Sequence, residues 1–156
     1  MVCGQIQPQN IRPNAMVNNT IQTTKTSDAS INRKMSCGLR RNGMVTFIRI
    51  SNKWAVQHMS QKITELLAVN NLQLADLDWI ILHSANLRII EAVAFSINYP
   101  MDRMLTSLEL FGNTSSASIP LAWDLAARAG TLKKGDKALL LGFGGGLTYA
   151  GVIVEV

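Results

Sequence analysis

A short apolar run from Trp79 to Leu82 constrains the fold most, because it contains no polar residue. A strand with one face in water alternates apolar and polar residues, whereas a parallel strand covered on both faces reads as a continuous apolar run. An amphipathic helical pattern follows from Asn86 to Ile97 and stops before Pro100, since the residue preceding a proline avoids the helical region. The run therefore predicts an internal strand of an α/β domain.

The same design recurs along the chain. A helical pattern begins near Ser51, whereas residues 44–50 could form either a strand or a helix. The apolar positions of the first helix recur at spacings of three and four, at Trp54, Ala55, Met59, Ile63, Leu66 and Leu67. The later strands are predicted at Met104 to Leu110, Lys137 to Gly142 and Leu147 to Val156. A short glycine link between the last two favours an antiparallel hairpin. The predicted fold is α/β, in the order α-β-α-β-α-β-β with a mostly parallel sheet.

The helix that starts near Asn113 and runs to about Ala129 has an unusual composition. Its residues are apolar or small on nearly every face, which predicts a helix that is buried all round. Pro120 falls in its early part, where a missing amide hydrogen costs least. Gly130 is a suitable C-terminal stop.

Residues 1–43 are rich in Asn, Gln, Thr and Ser and show no sustained period of 2 or 3.6. We predict a basic polar arm that is irregular or partly disordered, with short extended pieces, followed by one α/β domain over residues 44–156. The net charge of +5 comes from the N-terminal third, because residues 1–53 hold eight Lys or Arg and one acidic residue, Asp28.

A basic arm could bind nucleic acid, and four basic residues lie close together at Arg33, Lys34, Arg40 and Arg41. Residues 1–43 contain no aromatic side chain on which a base could stack. A solvated tail is therefore the preferred interpretation, and nucleic-acid binding is a minor alternative.

Cys3 and Cys37 lie in polar sequence without a second Cys or a His near enough to suggest a metal site. We expect no metal and a reducing cytoplasm. Residues 1–30 hold no continuous apolar region, and the later apolar runs are shorter than the roughly 20 residues that cross a bilayer. A cytoplasmic protein without a membrane segment is the expectation.

Polar residues and glycines follow the predicted strands where each strand ends. His83 and Asn86 follow the first, Asn113 follows the second, and a triple glycine at residues 144–146 follows the third. The carboxyl ends of parallel strands meet at one sheet edge, where α/β proteins place their chemistry. A neutral acid/base group and two carboxamides could hydrogen-bond a carbonyl oxygen that gains negative charge. The structural alternatives are a packed histidine and a tight glycine turn; the glycine spacing fits no nucleotide-binding loop.

Three motifs at these strand ends resemble one known family. They are His83-Ser-Ala-Asn-Leu-Arg88, Gly112-Asn-Thr-Ser-Ser-Ala-Ser-Ile-Pro120 and Gly142-Phe-Gly-Gly-Gly-Leu-Thr148. The stretch from about Lys53 to Val156 is similar to the C-terminal half of β-ketoacyl-[acyl-carrier-protein] synthase III, of the thiolase superfamily. The resemblance implies that residues 44–156 form one half of a fold that stacks two related α/β halves in five layers. It also implies an acyltransferase of fatty acid biosynthesis, which joins an acyl-CoA to malonyl-carrier protein in a decarboxylating Claisen condensation.

The resemblance implies roles for the residues at the strand ends. His83 and Asn113 would hydrogen-bond the malonyl thioester carbonyl and stabilise the enolate that forms on loss of CO₂. Gly145 would offer its backbone N–H to the oxyanion of the acyl-enzyme. Gly144 and Gly146 would flank it in a glycine loop that contacts the CoA thioester.

The resemblance also implies partners. Asn86 would support the histidine region, and Arg88 would face the acidic acyl-carrier protein or the phosphopantetheine phosphate. CoA and phosphopantetheine thioesters would be substrates, and no cofactor would be bound tightly. The alternative from another class is a non-catalytic module that binds CoA or acyl-carrier protein through Arg88 and the glycine loop.

The family's nucleophile is a Cys at the start of a buried helix in the N-terminal half, which has no counterpart in this sequence. Cys3 and Cys37 lack the apolar helix that would lower a thiol pKa. We therefore predict that this chain alone does not condense substrates. In the five-layer arrangement the helix over residues 117–129 would lie between two sheets. Here we expect it to expose a patch that drives self-association or pairing with an N-terminal synthase half.

Overall fold

The strands form one mixed sheet. A computed structural model describes residues 22–25, 41–144 and 148–156. Within these ranges the strands are β1 (Gln22–Lys25), β2 (Trp79–Leu82), β3 (Met104–Leu105), β4 (Lys137–Gly144) and β5 (Thr148–Glu155). Their order across the sheet is β1-β5-β4-β2-β3. β2 pairs in parallel with β3 and β4, whereas β5 runs antiparallel to β4 and to β1. The predicted α/β fold, with parallel strands and an antiparallel C-terminal hairpin, is confirmed.

Four α-helices accompany the sheet within the described residues. They are α1 (Arg41–Val69), α2 (Leu87–Ile97), α3 (Leu108–Phe111) and α4 (Ser118–Arg128), with 3₁₀ turns at Leu74–Asp76, Met101–Arg103 and Ser115–Ala117. None of these helices combines the length and the apolar character that crossing a membrane requires. Helix α1 begins before Ser51 and includes residues 44–50, so the open choice between strand and helix there is decided in favour of helix. No proline interrupts its sequence, and a continuous hydrogen-bond ladder can form.

Strand β1 is an extended piece within the predicted arm. Its backbone pairs with β5 from Gln22 opposite Gly151 to Lys25 opposite Thr148. The first residues of α1 also fall within the arm, because this helix begins at Arg41. The remainder of residues 1–43, including both cysteines, lies outside the described residues.

The core lies between α1, α2 and one face of the sheet. All six apolar positions that the spacing of the first helix singled out are buried, from Trp54 to Leu67. Strand β2 is covered on both faces, because Ile80, Ile81 and Leu82 are 0%, 0% and 1% exposed. Helix α4 packs against β2 and β3 on the second face. The continuous apolar run therefore has the burial that was predicted for an internal parallel strand.

Side chains at the entry to β2 and β4 set the register of this parallel pair. The indole N–H of Trp79 donates to Asp136 Oδ2 at 2.8 Å, and the backbone N–H of Lys137 donates to Asp78 Oδ2 at 2.8 Å. The backbone N–H of Asp78 donates to the Lys137 carbonyl at 2.9 Å. A slip of one residue would break these bonds and turn each side chain to the opposite face.

The second predicted strand is shorter than expected. Only Met104–Leu105 is extended, and Leu108–Phe111 forms helix α3. The backbone N–H of Leu108 donates to Thr106 Oγ1 at 3.1 Å, so the chain turns directly after the strand. A short apolar run does not by itself distinguish a strand from a helical segment, which explains the incorrect prediction for residues 106–110.

Helix α4 is not buried all round within this chain, contrary to the prediction. Its buried positions form one face, at Ser118, Ala122 and Ala126. Asp124 and Arg128 pair at 2.8 Å on an exposed side. The intervening apolar residues are partly exposed, namely Ile119, Leu121, Trp123 and Leu125. The helix has apolar residues on nearly every side, but the described chain covers it from one side only.

Gly151 provides a test of the packing between α1 and the hairpin. A Cβ atom at this position would lie 2.6 Å from Leu66 Cδ1 and 2.7 Å from Leu141 Cδ1. Gly151→Ala should therefore lower the free energy of unfolding by about 1–3 kcal/mol, the usual cost of overpacking a core. Urea denaturation measures this change. Gly144→Ala is the matched control, because its Cβ would meet nothing within 4 Å; equal stability of the two variants would contradict the predicted packing.

Candidate functional site

His83 stands directly after β2 and is held by the backbone on both sides. Its N–H donates to the Leu141 carbonyl at 3.0 Å, which extends the pairing of β2 with β4 by one residue. Its carbonyl accepts from the Ala85 N–H at 2.8 Å and begins the turn into α2. The imidazole ring meets the ring of Phe143 edge-on, with centroids 5.1 Å apart. The backbone and ring contacts thus hold the half-buried imidazole at the carboxyl edge of the parallel strands.

A buried serine of α4 contacts the imidazole of His83. Ser118 is the first residue of α4 and is 0% exposed, and its Oγ lies 2.7 Å from His83 Nδ1. The same oxygen accepts from the Ser84 N–H at 3.1 Å and lies 2.8 Å from the Ser115 carbonyl. The hydroxyl of Ser107 donates to the Ser118 carbonyl at 3.1 Å. The sequence interpretation did not single out Ser118; the available signal was a polar residue at a buried position of an otherwise apolar helix.

Burial favours the uncharged form of His83. It lowers the pKa of the imidazole below its ordinary value of 6.5, and a hydrogen bond to the Ser115 backbone partly opposes this change. Removing a charged group from water disfavours the charged form, so the neutral ring is favoured near pH 7. A neutral imidazole offers one donor nitrogen and one acceptor nitrogen.

Asn113 borders the same cavity as His83. The cavity has a volume of about 790 Å³, and Gly142 and Gly144 also line it. Asn113 Oδ1 accepts from the Ser115 N–H at 3.0 Å. This bond orients the carboxamide, so its NH₂ group is the part that can donate to a ligand. His83 and Asn113 thus border one cavity.

The cavity floor is one face of the β4–β5 hairpin. Alternate residues at the turn end of both strands line it, namely Leu140, Gly142, Gly144, Thr148, Ala150 and Val152, together with Phe143, Tyr149 and Gly151. Ile119 from α4 closes one side, and its Cδ1 would lie 3.6 Å from a Cβ at Gly142. Small residues on the floor leave room for an extended ligand. Gly145 and Gly146, the other members of the predicted glycine loop, lie outside the described residues.

Asn86 and Arg88 do not line this cavity. Asn86 is the N-cap of α2, where its Oδ1 accepts from the Ile89 N–H at 3.0 Å. A cap of this kind satisfies one of the free N–H groups at the helix start, so Asn86 supports the turn that follows His83. Arg88 is exposed in the first turn of α2. Among the described residues, no group of three or more His, Cys, Asp or Glu is placed to hold a metal ion.

Sequence comparison relates this region to known proteins. Residues 67–156 match the family described as 3-oxoacyl-[acyl-carrier-protein (ACP)] synthase III C terminal. A β-ketoacyl-[acyl-carrier-protein] synthase III 2 of Bacillus anthracis is 53% identical over 103 residues, which are 66% of this chain and 32% of that protein. A β-ketoacyl-[acyl-carrier-protein] synthase III of Ehrlichia canis is 44% identical over 115 residues, which are 74% of this chain and 34% of that protein. The chain thus spans about a third of the length of these relatives.

Solved structures show the same relation. The 3-oxoacyl-(acyl carrier protein) synthase III of Pseudomonas aeruginosa superposes with a TM-score of 0.67 at 36% identity, over 69% of this chain and 34% of that one. The corresponding Aquifex aeolicus enzyme superposes with a TM-score of 0.72 at 30% identity, over 87% of this chain and 43% of that one.

The lowered pKa of His83 makes stability depend on pH. At pH values between the folded-state pKa of His83 and its ordinary value of 6.5, the imidazole is protonated in the unfolded chain and neutral in the folded chain. Unfolding therefore becomes more favourable as pH falls through this range. Stability associated with His83 is therefore present above about pH 6.5 and is lost below it. Urea denaturation of the wild type and of His83→Gln, from about pH 8 to about pH 5, measures this dependence. The free energy of unfolding should fall less with decreasing pH in the variant than in the wild type. Identical pH dependence in both proteins would contradict this prediction.

Proposed function

Because this chain belongs to the 3-oxoacyl-[acyl-carrier-protein] synthase III family through its C-terminal region, we propose that it is the C-terminal portion of such a synthase. The reaction proposed for the complete enzyme is condensation of an acyl-CoA with malonyl-carrier protein, with release of CO₂. CoA and phosphopantetheine thioesters are then substrates, and no cofactor is bound tightly. The reducing cytoplasm, which Cys3 and Cys37 favoured, is the proposed location.

The observation that supports this proposal most directly is that His83 and Asn113 border one cavity. Loss of CO₂ from a malonyl thioester leaves an electron pair that delocalises onto the thioester oxygen. Donors held near that oxygen stabilise the developing charge, and they do so most strongly when water is excluded. The NH₂ group of Asn113 can donate directly, while the imidazole of His83 supplies the acid/base group.

The remaining roles complete the proposed site. Gly145 offers its backbone N–H to the acyl-enzyme oxyanion, next to Gly144 at the end of β4. Arg88 contacts the acyl-carrier protein or the phosphopantetheine phosphate; its exposure in the first turn of α2 supports this role. The thiolate that attacks the acyl-CoA belongs to the N-terminal half of the family. We propose that the chain alone does not condense substrates.

Catalysis should be tested as decarboxylation of malonyl-CoA, measured as release of acetyl-CoA. Asn113→Ala should lower the rate by about 10²–10³, the usual effect of removing one donor to an oxyanion, and His83→Ala by about 10²–10⁴, the usual contribution of a general acid–base group. His58→Ala is the matched control, because His58 lies on α1 with its Nδ1 2.9 Å from the Trp54 carbonyl and does not line the cavity. Condensation by the isolated chain would contradict the proposed absence of a nucleophile. Binding of malonyl-CoA without turnover would favour the alternative, a non-catalytic binding module.

The uncovered faces of α4 and of the hairpin support pairing with another chain. Ile119, Leu121 and Trp123 are only partly covered, and Ala150 is exposed on the cavity side of β5. Apolar surface of this kind is stabilised when a partner removes it from water. We propose that this surface pairs with an N-terminal synthase half or, in its absence, with a second copy of this chain.

Size-exclusion chromatography with light scattering tests this pairing. The isolated chain should have a mass above its monomer mass of 17.1 kDa. Ala150→Glu should reduce the mass towards that of the monomer, because a carboxylate would become buried without a partner. Ala68→Glu introduces the same charge at an exposed position of α1 and should not change the mass. A clean wild-type monomer that also fails to bind an added N-terminal half would contradict the proposal.

A further inference from the structure

The hydroxyl of Ser118 has three polar neighbours, and together they determine where its proton goes. Its Oγ lies 2.8 Å from the Ser115 carbonyl, 3.1 Å from the Ser84 N–H and 2.7 Å from His83 Nδ1. A serine hydroxyl donates one hydrogen and accepts two. Ser118 and Ser84 are both 0% exposed, so bulk water does not reach the Ser118 hydroxyl, and its hydrogen bonds must be made within the protein.

Two of these neighbours have only one possible role. The Ser115 carbonyl can only accept, so it receives the Ser118 hydroxyl hydrogen. The backbone N–H of Ser84 can only donate, so it occupies one lone pair of Oγ. The second lone pair remains for His83, and Nδ1 must then supply the hydrogen. If the Ser118 hydroxyl instead donated to His83 Nδ1, Ser118 Oγ and the Ser115 carbonyl oxygen would lie 2.8 Å apart without a hydrogen between them. An unmade hydrogen bond at a buried hydroxyl is costly.

We propose that Ser118 is a positioning residue that holds neutral His83 in the tautomer with its proton on Nδ1. The other ring nitrogen, Nε2, then carries a lone pair and is the nitrogen available to the cavity. In a histidine, the hydrogen bond made by one nitrogen decides the chemistry of the other. The packing of α4 against the end of β2 therefore selects what His83 presents to a ligand.

The effect of this tautomer on a bound thioester rests on the proposed function. With the proton on Nδ1, neutral His83 accepts a hydrogen bond or a proton at Nε2, while the NH₂ group of Asn113 donates to the thioester oxygen. Once Nε2 has taken up a proton, the imidazolium donates from both nitrogens. The two residues then have different roles: Asn113 donates in every state, and His83 donates to the ligand only after protonation.

Long-range ¹H–¹⁵N correlation spectra of the ¹⁵N-labelled full chain test the tautomer directly. The chain contains only two histidines, and the spectrum of His58→Gln assigns them. In the neutral form, His83 should show an unprotonated, pyridine-type Nε2 and a protonated Nδ1, with this tautomer in excess by about tenfold, as one net hydrogen bond provides. A protonated Nε2 in the neutral ring would overturn the proposal.

Variants separate the role of Ser118 from general packing. Ser118→Ala removes the side-chain acceptor of Nδ1 and leaves the hydrogen bond of His83 to the Ser115 backbone, so it should reduce, without abolishing, the excess of the tautomer with the proton on Nδ1. Ser107→Ala is the matched control, because it removes a buried hydroxyl that bonds the Ser118 carbonyl and not the imidazole; its spectrum should match the wild type. An unchanged tautomer in folded Ser118→Ala would overturn the positioning role. If that variant does not fold, the wild-type spectrum decides the proposal.

The spectra require no substrate. A chain with the proton on Nδ1 that fails to decarboxylate malonyl-CoA would contradict the proposed function and leave the positioning role of Ser118 intact. A chain that decarboxylates malonyl-CoA with the proton on Nε2 would support the proposed function and overturn the positioning role of Ser118.

Discussion

The parallel pairing of β2 with β4 is the interaction on which the rest of the structure depends. At the entry to this pair, Asp78 accepts from the Lys137 N–H and Asp136 accepts from the Trp79 indole N–H. At its exit, the N–H of His83 donates to the Leu141 carbonyl. The register is therefore held at both ends. Because side chains alternate along a strand, a slip of one residue would move His83 away from the cavity and expose the buried face of β2.

A second constraint acts at the exit of these strands, where the Ser118 hydroxyl connects the end of β2, the turn at Ser115 and the start of α4. Buried polar groups remain in place when all their hydrogen bonds are made, and this hydroxyl uses its donor and both acceptors. The Asn113 carboxamide is fixed within the same turn by the Ser115 N–H. The two residues proposed to act on the thioester therefore depend on one short polar segment for their positions.

The two faces of the sheet are covered unequally. Helices α1 and α2 complete the core on one face, whereas α4 covers only part of the other and leaves the hairpin floor open beside it. The pairing that we propose would place a second α/β half on this side. The partly exposed apolar residues of α4 and the open cavity are the surface that this pairing would remove from water.

The sequence by itself determined the strand Trp79–Leu82, the buried face of α1 and the C-terminal hairpin, because apolar spacing records which side of an element is removed from water. It also placed His83 directly after an internal parallel strand, at the carboxyl edge of the sheet, whereas Asn113 follows helix α3 and not the end of β3. Only the tertiary structure decided that residues 108–111 form a helix, that α4 is covered on one face and that Ser118 bonds His83. A short apolar run fits either element, the cover over a helix depends on distant segments, and a bond between residues 35 positions apart leaves no local pattern.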